Sequence, residues 1–411
     1  MPVNKDRLVH RLKSLGQAGA TSAGGVTRLA YSPAYRQAEE MIRDWLTEAG
    51  LDVRADAVGN MIGRREGKAR EQPCLMLASH IDSVVNGGQF DGALGVLSAI
   101  EVAHAFSEDG VLLDRTLELV VFVDEEGARW GDGLFGSRAM TGQLPAAALD
   151  RVDRQQVSRA EAMKDWGLDP TRSAEAARDP SEIGAYLELH IEQGAVLESR
   201  GIPIGVVDAI AGPLFLTARL YGRADHAGAT PMGELRRDAL TGAAEVILAA
   251  ETVARATSPN CVATVGRVEA VPGAANVIPG EVVLTLDIRD IDARARDLAE
   301  AAIRQEIDAI CQRRHLTFTV EELQRTEPVT TSPVVIEAIS AACARLGLQC
   351  LHLPSGAAHD AQLMTRMADV GMIFVRCRAG ISHSPQEYVT PDDALLGAQV
   401  MYQAARRLGS P

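Results

Sequence analysis

The sequence lacks a long apolar run, and it lacks any excess of positive charge. No uninterrupted apolar stretch approaches the length of a membrane span, so no transmembrane segment is predicted. The formal net charge is −14, which disfavours a sequence-independent grip on nucleic acid or on an anionic membrane. The first residues, MPVNKDR, contain no apolar signal core. We therefore expect neither nucleic acid nor a membrane among the partners of this chain.

Closely spaced cysteines and several common catalytic signatures are missing as well. The chain contains no GxSxG elbow, no GxxxxGKS or GxxxxGKT loop, no GxGxxG after a strand and no HExxH. The six cysteines form no CxxC pair and no tight cluster. We interpret them as mostly buried free thiols in a reducing cytoplasm, at positions Cys74, Cys261, Cys311, Cys343, Cys350 and Cys377.

The length and the rhythm of the sequence predict two domains. In the first third, strand-like runs alternate with glycine turns and helix-like segments, which indicates an α/β fold with a mostly parallel, helix-covered sheet. From about residue 212 the order becomes β-α-β-β-α-β, which is that of a ferredoxin-like unit. We expect a split catalytic domain over 1–211 and 324–411, interrupted by a second domain over 212–323.

Individual elements follow from the spacing of the apolar residues. Residues 141–185 are polar and Ala-rich, and we expect helices and loops without chemistry there. Helices are predicted over 35–49, 92–107, 235–256, 292–313, 334–346 and 392–407. Further strands are predicted over 214–222, 261–270, 281–289, 315–323 and 371–377.

The most informative feature is a set of histidine and acidic residues near the ends of strand-like runs. His80 and the Glu125-Glu126 pair each follow an apolar run, and Asp91 comes eleven residues after His80. Open α/β sheets place their chemistry at the carboxyl ends of parallel strands. Imidazole and carboxylate ligands suit a divalent first-row metal, and a carboxylate left over can be the base that a metal-activated water requires.

The acidic candidates have second interpretations. Asp91 opens a predicted helix and can be its N-cap, and it can also bridge two metals because a carboxylate has two oxygens. Glu125 and Glu126 can form a solvated turn. Directly after a strand, however, adjacent side chains point different ways, so one can ligate while the other faces substrate. Asp82 is expected to hold the second ring nitrogen of His80.

Other candidates lie further along the chain. His190 repeats the strand-to-turn context, and His383 lies in a glycine- and proline-bounded loop. The predicted insert contains His226, Asn276 and Arg289. Arg289 ends a strand, and a surface cation paired with a neighbouring aspartate is the commoner role of an arginine in such company.

Together these motifs resemble the amidase branch of the dinuclear metallopeptidase-like hydrolases. This branch contains N-carbamoyl-L-amino-acid hydrolases, β-ureidopropionases, allantoate amidohydrolases and ureidoglycolate amidohydrolases. The resemblance covers nearly the whole chain and is closest to the N-carbamoyl-L-amino-acid hydrolases. Related peptidases and aminoacylases usually have an acidic ligand where this chain has His190, which favours the ureido-amidase branch. The motifs are SHIDSVVNGGQFDGALGV, DEEGARW, GLFGSRAMTG, LELHIEQG, ADHAGATPM, NVIPG, LDIRD and VRCRAGISHSP.

The resemblance implies a role for each candidate. Glu125 would be the general base, which takes a proton from the attacking water and returns it to the leaving nitrogen. The metal ligands would be His80, Asp91 and His190 for one ion, and Asp91, Glu126 and His383 for the other. The substrate would be bound by Gln193, His226, Asn276, Arg289 and the backbone at Gly356.

Cofactors and assembly are implied in the same way. We expect two divalent ions per subunit, and the mixed nitrogen and oxygen ligands are compatible with Mn, Co, Zn or Ni. His226 would stabilise the developing oxyanion, and Arg289 would hold a substrate carboxylate in a bidentate fork. The second domain would act as a lid and form a homodimer. One departure is Ala358, where the family loop SGAGHDA has glycine, and its Cβ is expected to restrict the loop or narrow the pocket.

We therefore predict hydrolysis of the ureido C–N bond of an N-carbamoyl-L-amino acid to the L-amino acid, ammonia and carbon dioxide. Within the family, allantoate, ureidoglycolate or N-carbamoyl-β-alanine are alternative substrates. An aminoacylase or dipeptidase on the same scaffold is another alternative. A non-catalytic metal-dependent binding protein is the third, and Glu125 argues against it because a pure binder needs no spare carboxylate beside its ligands.

Overall fold

The computed structural model describes residues 3–410, which form two compact units. As far as it is described, the first unit covers 3–208, 331–353 and 359–410. The second unit covers 209–330 and 354–358. Residues 1, 2 and 411, at the outer ends of the predicted catalytic segments, lie outside the described residues.

The α-helices are numbered in chain order. They are α1 (Lys5–Leu15), α2 (Pro33–Glu48), α3 (Ala93–Glu108), α4 (Phe135–Met140), α5 (Arg159–Trp166), α6 (Val196–Arg200), α7 (Ala239–Thr257), α8 (Ala293–Arg314), α9 (Pro333–Arg345), α10 (Asp360–Met364) and α11 (Pro391–Gly409). Within residues 3–410, no helix combines the length and the apolar character that crossing a bilayer requires.

The strands follow the same order. They are β1 (Asp52–Ala55), β2 (Met61–Arg65), β3 (Cys74–His80), β4 (Leu117–Phe122), β5 (Ile183–Ile191), β6 (Ile204–Ile210), β7 (Gly212–Tyr221), β8 (Asp225–His226), β9 (Val262–Val271), β10 (Val277–Ile278), β11 (Glu281–Asp290), β12 (Thr317–Arg325), β13 (Val329–Thr330), β14 (Cys350–Ser355) and β15 (Asp369–Val375).

The first unit is built on one large sheet with the strand order β1-β2-β4-β3-β5-β15-β6. Its centre, β4-β3-β5-β15, is parallel, and antiparallel strands flank it on both sides. Every residue of β3 and β4 is buried, as expected where helices cover both faces of a parallel sheet. Helix α3 packs against β3 and β5 and is buried along most of its length. The predicted α/β fold is confirmed.

The second unit has its own core and its own sheet. Strands β7, β9, β11 and β12 form an antiparallel sheet in the order β12-β7-β11-β9, and α7 and α8 pack against it. The buried residues alternate along β11, so one face of this strand meets the helices. Element order and strand order are those of a ferredoxin-like unit, as predicted. The short strands β8 and β10 form a separate antiparallel ribbon.

Where predicted and observed bounds differ, local hydrogen bonding or weak patterning explains the difference. Helix α7 begins later than the predicted residue 235 because Asp238 caps it, accepting the N–H groups of Leu240 and Thr241. Strand β5 begins at Ile183, inside the segment predicted to contain only helices and loops. The flanking strand β1 was not predicted, because it is only four residues long and mostly exposed.

Candidate metal centre

The parallel strands of the first unit end side by side and bring the candidate ligands together. His80 is the last residue of β3 and pairs in register with Phe122 at the end of β4, just before the acidic pair. His190 lies near the end of β5, and β15, which precedes the His383 loop, is parallel to β5. The carboxyl edge of the sheet is therefore the candidate site.

Asp91 lies between two groups of ligand atoms. Its Oδ1 is 3.1 Å from His190 Nε2 and 3.7 Å from His80 Nε2. Its Oδ2 is 3.4 Å from His383 Nε2, which is in turn 3.4 Å from Glu126 Oε2. Each oxygen of this one carboxylate thus faces a different set of ligands, which is the geometry that a bridging carboxylate requires.

The two glutamates of the acidic pair face different histidines. Glu125 Oε2 lies 3.7 Å from His80 Nε2, whereas Glu126 Oε2 faces His383. The second carboxylate oxygen of Glu126, Oε1, is buried and has no hydrogen-bond partner among residues 3–410. A buried carboxylate oxygen without a donor is costly unless a cation or a ligand completes it, so this atom fits a metal site.

Backbone groups orient the two buried histidines. His80 Nδ1 lies 3.1 Å from the carbonyl oxygen of Asp82, and His190 Nδ1 lies 2.9 Å from that of Ile191. A carbonyl partner places the proton on Nδ1 and leaves Nε2 free for a metal. Asp82 thus holds the second ring nitrogen of His80, as predicted, through its carbonyl oxygen. Its carboxylate lies 3.6 Å from His80 Nδ1 and accepts the N–H groups of Glu125 and Glu126.

The electrostatics of the cluster favour cations. Burial alone would raise the pKa of Asp91, but the imidazoles of His190 and His383 outweigh it and hold that pKa well below its usual range. Burial raises the pKa of Glu125 well above its usual range, and burial together with Asp91 raises that of Glu126 to about 7. The contact with Asp91 raises the pKa of His383 to about 9. The cluster thus holds protons that a metal ion would displace.

The helix after Asp91 does not use that residue as a cap. Gly92 is the N-cap of α3, with φ 61° and no side-chain cap hydrogen bond. A Cβ at this position would lie 2.4 Å from the His80 ring, so glycine is required both for the backbone conformation and for the space. The Asp91 carboxylate is therefore free to face the histidines.

Gln193 is part of the same cluster. Its Nε2 donates to Asp91 Oδ2 over 2.8 Å, and its own φ is 55°. Its Oε1 is buried without a partner in the described part of the chain. The amide therefore orients the central carboxylate on one side and offers an unused acceptor on the other.

The second unit holds the remaining predicted residues in two pairs. The first pair is His226 and Asn276. The strand β8 that ends at His226 pairs with β10, and the carbonyl oxygen of Asn276 accepts the N–H of Ala227. The backbone N–H groups of Gly228 and Ala229 both donate to His226 Nδ1 over 3.1 Å. Nδ1 is therefore an acceptor, and the neutral ring carries its proton on Nε2 as a donor.

The second pair is Arg289 and Gly356. Arg289 Nη1 donates to the carbonyl oxygen of Gly356 over 2.8 Å, while Nε and Nη2 form a fork on Asp287, each over 2.8 Å. The local aspartate pairing considered from the sequence is therefore present. Gly356 is exposed, and a Cβ there would meet no atom within 4 Å. Ala358 is half-buried and does not have a positive φ.

Two residues near the acidic and histidine loops were missed from the sequence. Arg159 belongs to the segment predicted to lack chemistry, yet its buried Nη2 lies 3.0 Å from Asp124 Oδ2, directly before the acidic pair. Glu387 accepts the N–H groups of Phe90 and Asp91. An arginine in an Ala-rich segment and a glutamate in a polar loop carry no local signal of such contacts.

Three groups among the described residues present ligand atoms that all lie within 4.8 Å of one another. Two of them coincide with the predicted sets, namely His80, Asp91 and His190, and Asp91, Glu126 and His383. The third shares His190 and adds Glu188 and His359, and Glu188 is already bonded by the hydroxyls of Ser79 and Tyr186. The arrangement can hold two cations that share Asp91, with Glu125 as an additional carboxylate beside them.

Comparison with known proteins gives consistent matches. A family model described as Peptidase family M20/M25/M40 matches residues 76–407. An N-carbamoyl-L-amino acid amidohydrolase of Geobacillus stearothermophilus is 46% identical over 406 residues, covering 99% of each chain. An allantoate deiminase of Arabidopsis thaliana is 37% identical over 419 residues, covering 95% of this chain and 79% of that protein. The crystal structure of an amidase of the hydantoinase/carbamoylase family from Burkholderia multivorans has a TM-score of 0.92 at 33% identity, covering 100% of this chain and 98% of that one.

Proposed function

The chain belongs to the M20/M25/M40 peptidase family, and from that premise we propose that it is a metal-dependent amidohydrolase acting on N-carbamoyl-L-amino acids. It cleaves the ureido C–N bond with one water to give the L-amino acid, ammonia and carbon dioxide. The name of the Geobacillus stearothermophilus relative supports this substrate class. The observation that carries the proposal is the Asp91 carboxylate, whose two oxygens face two separate ligand sets while the buried Glu125 lies beside one of them.

Two divalent ions are part of the proposal. One is held by His80, Asp91 and His190, and the other by Asp91, Glu126 and His383. The partnerless Glu126 Oε1 and the mixed nitrogen and oxygen donors fit such ions, with Mn, Co, Zn and Ni as candidates. When bound, the ions lower the pKa of water and polarise the ureido carbonyl.

Glu125 moves the proton in the proposed reaction. Its carboxylate takes a proton from the attacking water and delivers it to the leaving nitrogen, so the same oxygen atoms serve as base and then as acid. Burial in a cluster of other acidic groups, which raises its pKa, suits a group that must hold and release a proton. Two N–H groups donated to Asp82 by the acidic pair keep the Glu125 backbone in place.

Residues of the second unit bind and orient the substrate in this proposal. His226 presents Nε2–H as a donor to the oxyanion, because its Nδ1 is already occupied by two backbone N–H groups. Arg289 binds the substrate carboxylate with the two N–H groups that no described residue engages. Gln193, Asn276 and the backbone at Gly356 complete the set, and the partnerless Gln193 Oε1 is suited to accept a ureido N–H.

A lid, a homodimer and a cytoplasmic location complete the proposal. The catalytic domain corresponds to the first unit, and the second unit is both lid and dimerisation domain. Strand β9 supports the dimer, because it lies at the edge of its sheet and exposes Val262, Val268 and Val271. All six cysteines are free, which supports a reducing compartment.

A substrate panel tests the proposed function. Metal-free enzyme is refilled separately with Mn²⁺, Co²⁺, Zn²⁺ or Ni²⁺, and ammonia release is measured from N-carbamoyl-L-amino acids, their D-forms, N-carbamoyl-β-alanine, ureidoglycolate and allantoate. We expect the highest kcat/KM for an N-carbamoyl-L-amino acid. Allantoate is included because the Arabidopsis thaliana relative is an allantoate deiminase. A higher kcat/KM for allantoate or ureidoglycolate would contradict the proposed substrate but not the proposed metal-dependent mechanism.

Two further compounds separate the remaining alternatives. An N-acetyl-L-amino acid and a dipeptide are incubated with the same metal-loaded enzyme, and release of free amino acid is measured. Faster hydrolysis of either compound would identify an aminoacylase or a dipeptidase. Metal binding without hydrolysis of any compound would identify a binding protein.

A further inference from the structure

One buried carboxylate, that of Glu387, joins the loop before α3 to the loop that carries His383. Its Oε1 accepts the backbone N–H of Phe90 over 2.8 Å and that of Asp91 over 3.0 Å. Its Oε2 lies 3.3 Å from Ser382 Oγ. Glu387 and Asp91 are 296 positions apart in the chain, so this contact exists only in the folded protein.

Ser382 forms a second link between the same loops. Its hydroxyl donates to Asp91 Oδ2 over 2.7 Å, which is shorter than its distance to Glu387. A hydroxyl carries one proton, and the shorter distance assigns it to Asp91. Glu387 thus holds the backbone of Asp91, and Ser382 holds the side-chain oxygen that faces His383.

Both loops contribute to this close approach, one through Gly88 and the other through Glu387. A Cβ at Gly88 would lie 2.0 Å from the carboxyl carbon and from Oε1 of Glu387, so a side chain at this position would displace the carboxylate. Glycine at this position therefore lets the loop backbone come close enough for both N–H groups to reach the carboxylate. Glu387 is 5% exposed, so water does not replace these bonds easily.

An acidic group near the start of α3 would also stabilise the helix through its dipole. That role predicts a loss of stability when the charge is removed, and it predicts no selective effect on a metal. The partners of Glu387 are more specific, because the Asp91 N–H belongs to the central carboxylate residue and Ser382 precedes His383. His80 and His190, in contrast, are held by their own strands and by backbone carbonyls.

We propose that Glu387 is a positioning residue for the ion held by Asp91, Glu126 and His383, and that it fixes the two loops that carry Asp91 and His383. This inference rests on the proposed function, which requires two ions. The ion held by His80, Asp91 and His190 depends less on Glu387, because two of its three ligands lie on strand ends. Residues that support metal ligands in this way typically change metal affinity by about 10–100-fold.

The test is a competitive titration of metal-free protein with Co²⁺ against a chromophoric chelator. Wild type is expected to bind two ions. Glu387→Ala is expected to lower the affinity for one ion by about 10–100-fold and the affinity for the other by less than about threefold. The weakened ion should be the one also lost in His383→Ala, so the double variant should lose little more. Glu387→Gln should restore most of the affinity, because its amide oxygen can accept both N–H groups.

Asp153 offers a matched control. This buried carboxylate likewise accepts two backbone N–H groups, those of Gln155 and Val157, and one side-chain donor, Arg129. Asp153→Ala is expected to lower the melting temperature of the metal-free protein and to leave both Co²⁺ affinities unchanged. If Glu387→Ala behaved like Asp153→Ala, the role of Glu387 would be structural only and the proposal would be wrong.

A shorter side chain keeps the test decisive if Glu387→Ala does not fold. Glu387→Asp retains the charge but is too short to span both loops, so the affinity for the same single ion should fall. Wild-type affinities in folded Glu387→Asp would overturn the proposal. A wild-type protein that binds fewer than two ions would overturn both the centre and this inference. A protein that binds two ions and cleaves no ureido compound would overturn the proposed function alone.

Discussion

At the scale of single residues, one carboxylate organises the candidate centre. Asp91 Oδ1 faces His190 and His80, and its Oδ2 faces His383 and accepts bonds from Gln193 and Ser382. The donors on Oδ2 fix the rotation of the carboxylate, so neither oxygen can turn away from its ligand set. A bridging role therefore depends on neutral donors as much as on the ligands.

Single substitutions distinguish the proposed roles of the two glutamates of the acidic pair. We expect Glu125→Gln to keep both ions and substrate affinity but to lose about 10²–10⁴-fold in kcat, because the amide cannot accept the proton of water. Steady-state kinetics and metal analysis measure the two properties on one preparation. Glu126→Gln is the control, and it should lower metal content first. A Glu125→Gln enzyme within threefold of wild-type kcat would rule out Glu125 as the base.

At the scale of elements, the turn from β3 into α3 decides where His80 and Asp91 lie. His80 is the last residue of β3 at the sheet edge. The loop after β3 leads into α3, whose N-cap Gly92 lies beside the His80 ring. The positive φ of Gly92 and its lack of a Cβ, which would lie 2.4 Å from the imidazole, let the helix begin there. The short distance between His80 and Asp91 thus comes from a glycine turn between a strand and a helix.

Substitution of this glycine tests that description. Gly92→Ala should lower the stability of the metal-free protein by about 1–3 kcal/mol because of its positive φ, and it should also weaken the ion held by His80. Gly110→Ala is the matched control, because Gly110 has φ 64° and a Cβ there would meet no atom within 4 Å. Urea unfolding and metal titration measure both effects. Equal metal affinities in the two variants would show that the Gly92 Cβ leaves His80 undisturbed.

At the scale of the whole molecule, the chain forms two units with separate hydrophobic cores. The candidate ligands all belong to the first unit, and the proposed oxyanion and carboxylate donors, His226 and Arg289, belong to the second. Metal binding is therefore assigned to the first unit, and the oxyanion and carboxylate contacts of the substrate are assigned to the second. Ligands stabilise only the unit that binds them, as long as the two units unfold separately.

Calorimetry tests this division. We expect two unfolding transitions. Metal loading should raise the midpoint temperature of the transition of the first unit only. An ion at 100 times its Kd adds about 2.7 kcal/mol, which corresponds to roughly 5 °C per ion for a unit of this size. The metal-free protein with added Mg²⁺, a poor match for histidine ligands, is the control. Equal shifts of both transitions would contradict separate unfolding of the units.

The sequence by itself determined the alternation of strands and helices, the ferredoxin-like order and the positions of the candidate ligands near strand ends. These are local properties, because apolar spacing reports which face of an element is buried and a strand end is visible as the end of an apolar run. The resemblance to known hydrolases added roles for residues such as His190 and His383, whose own surroundings say little.

Only the tertiary structure decided how these residues meet. The sequence suggested Asp82 as the partner of the second ring nitrogen of His80, but only the fold shows that its carbonyl oxygen is that partner while its carboxylate accepts the N–H groups of the acidic pair. Asp91 could equally have capped a helix, and Gly92 takes that position. Glu387 carried no local signal at all. The physical reason is that parallel pairing and crossover helices bring distant residues into contact, such as Asp91 and Glu387, which are 296 positions apart, and a local pattern contains no information about such partners.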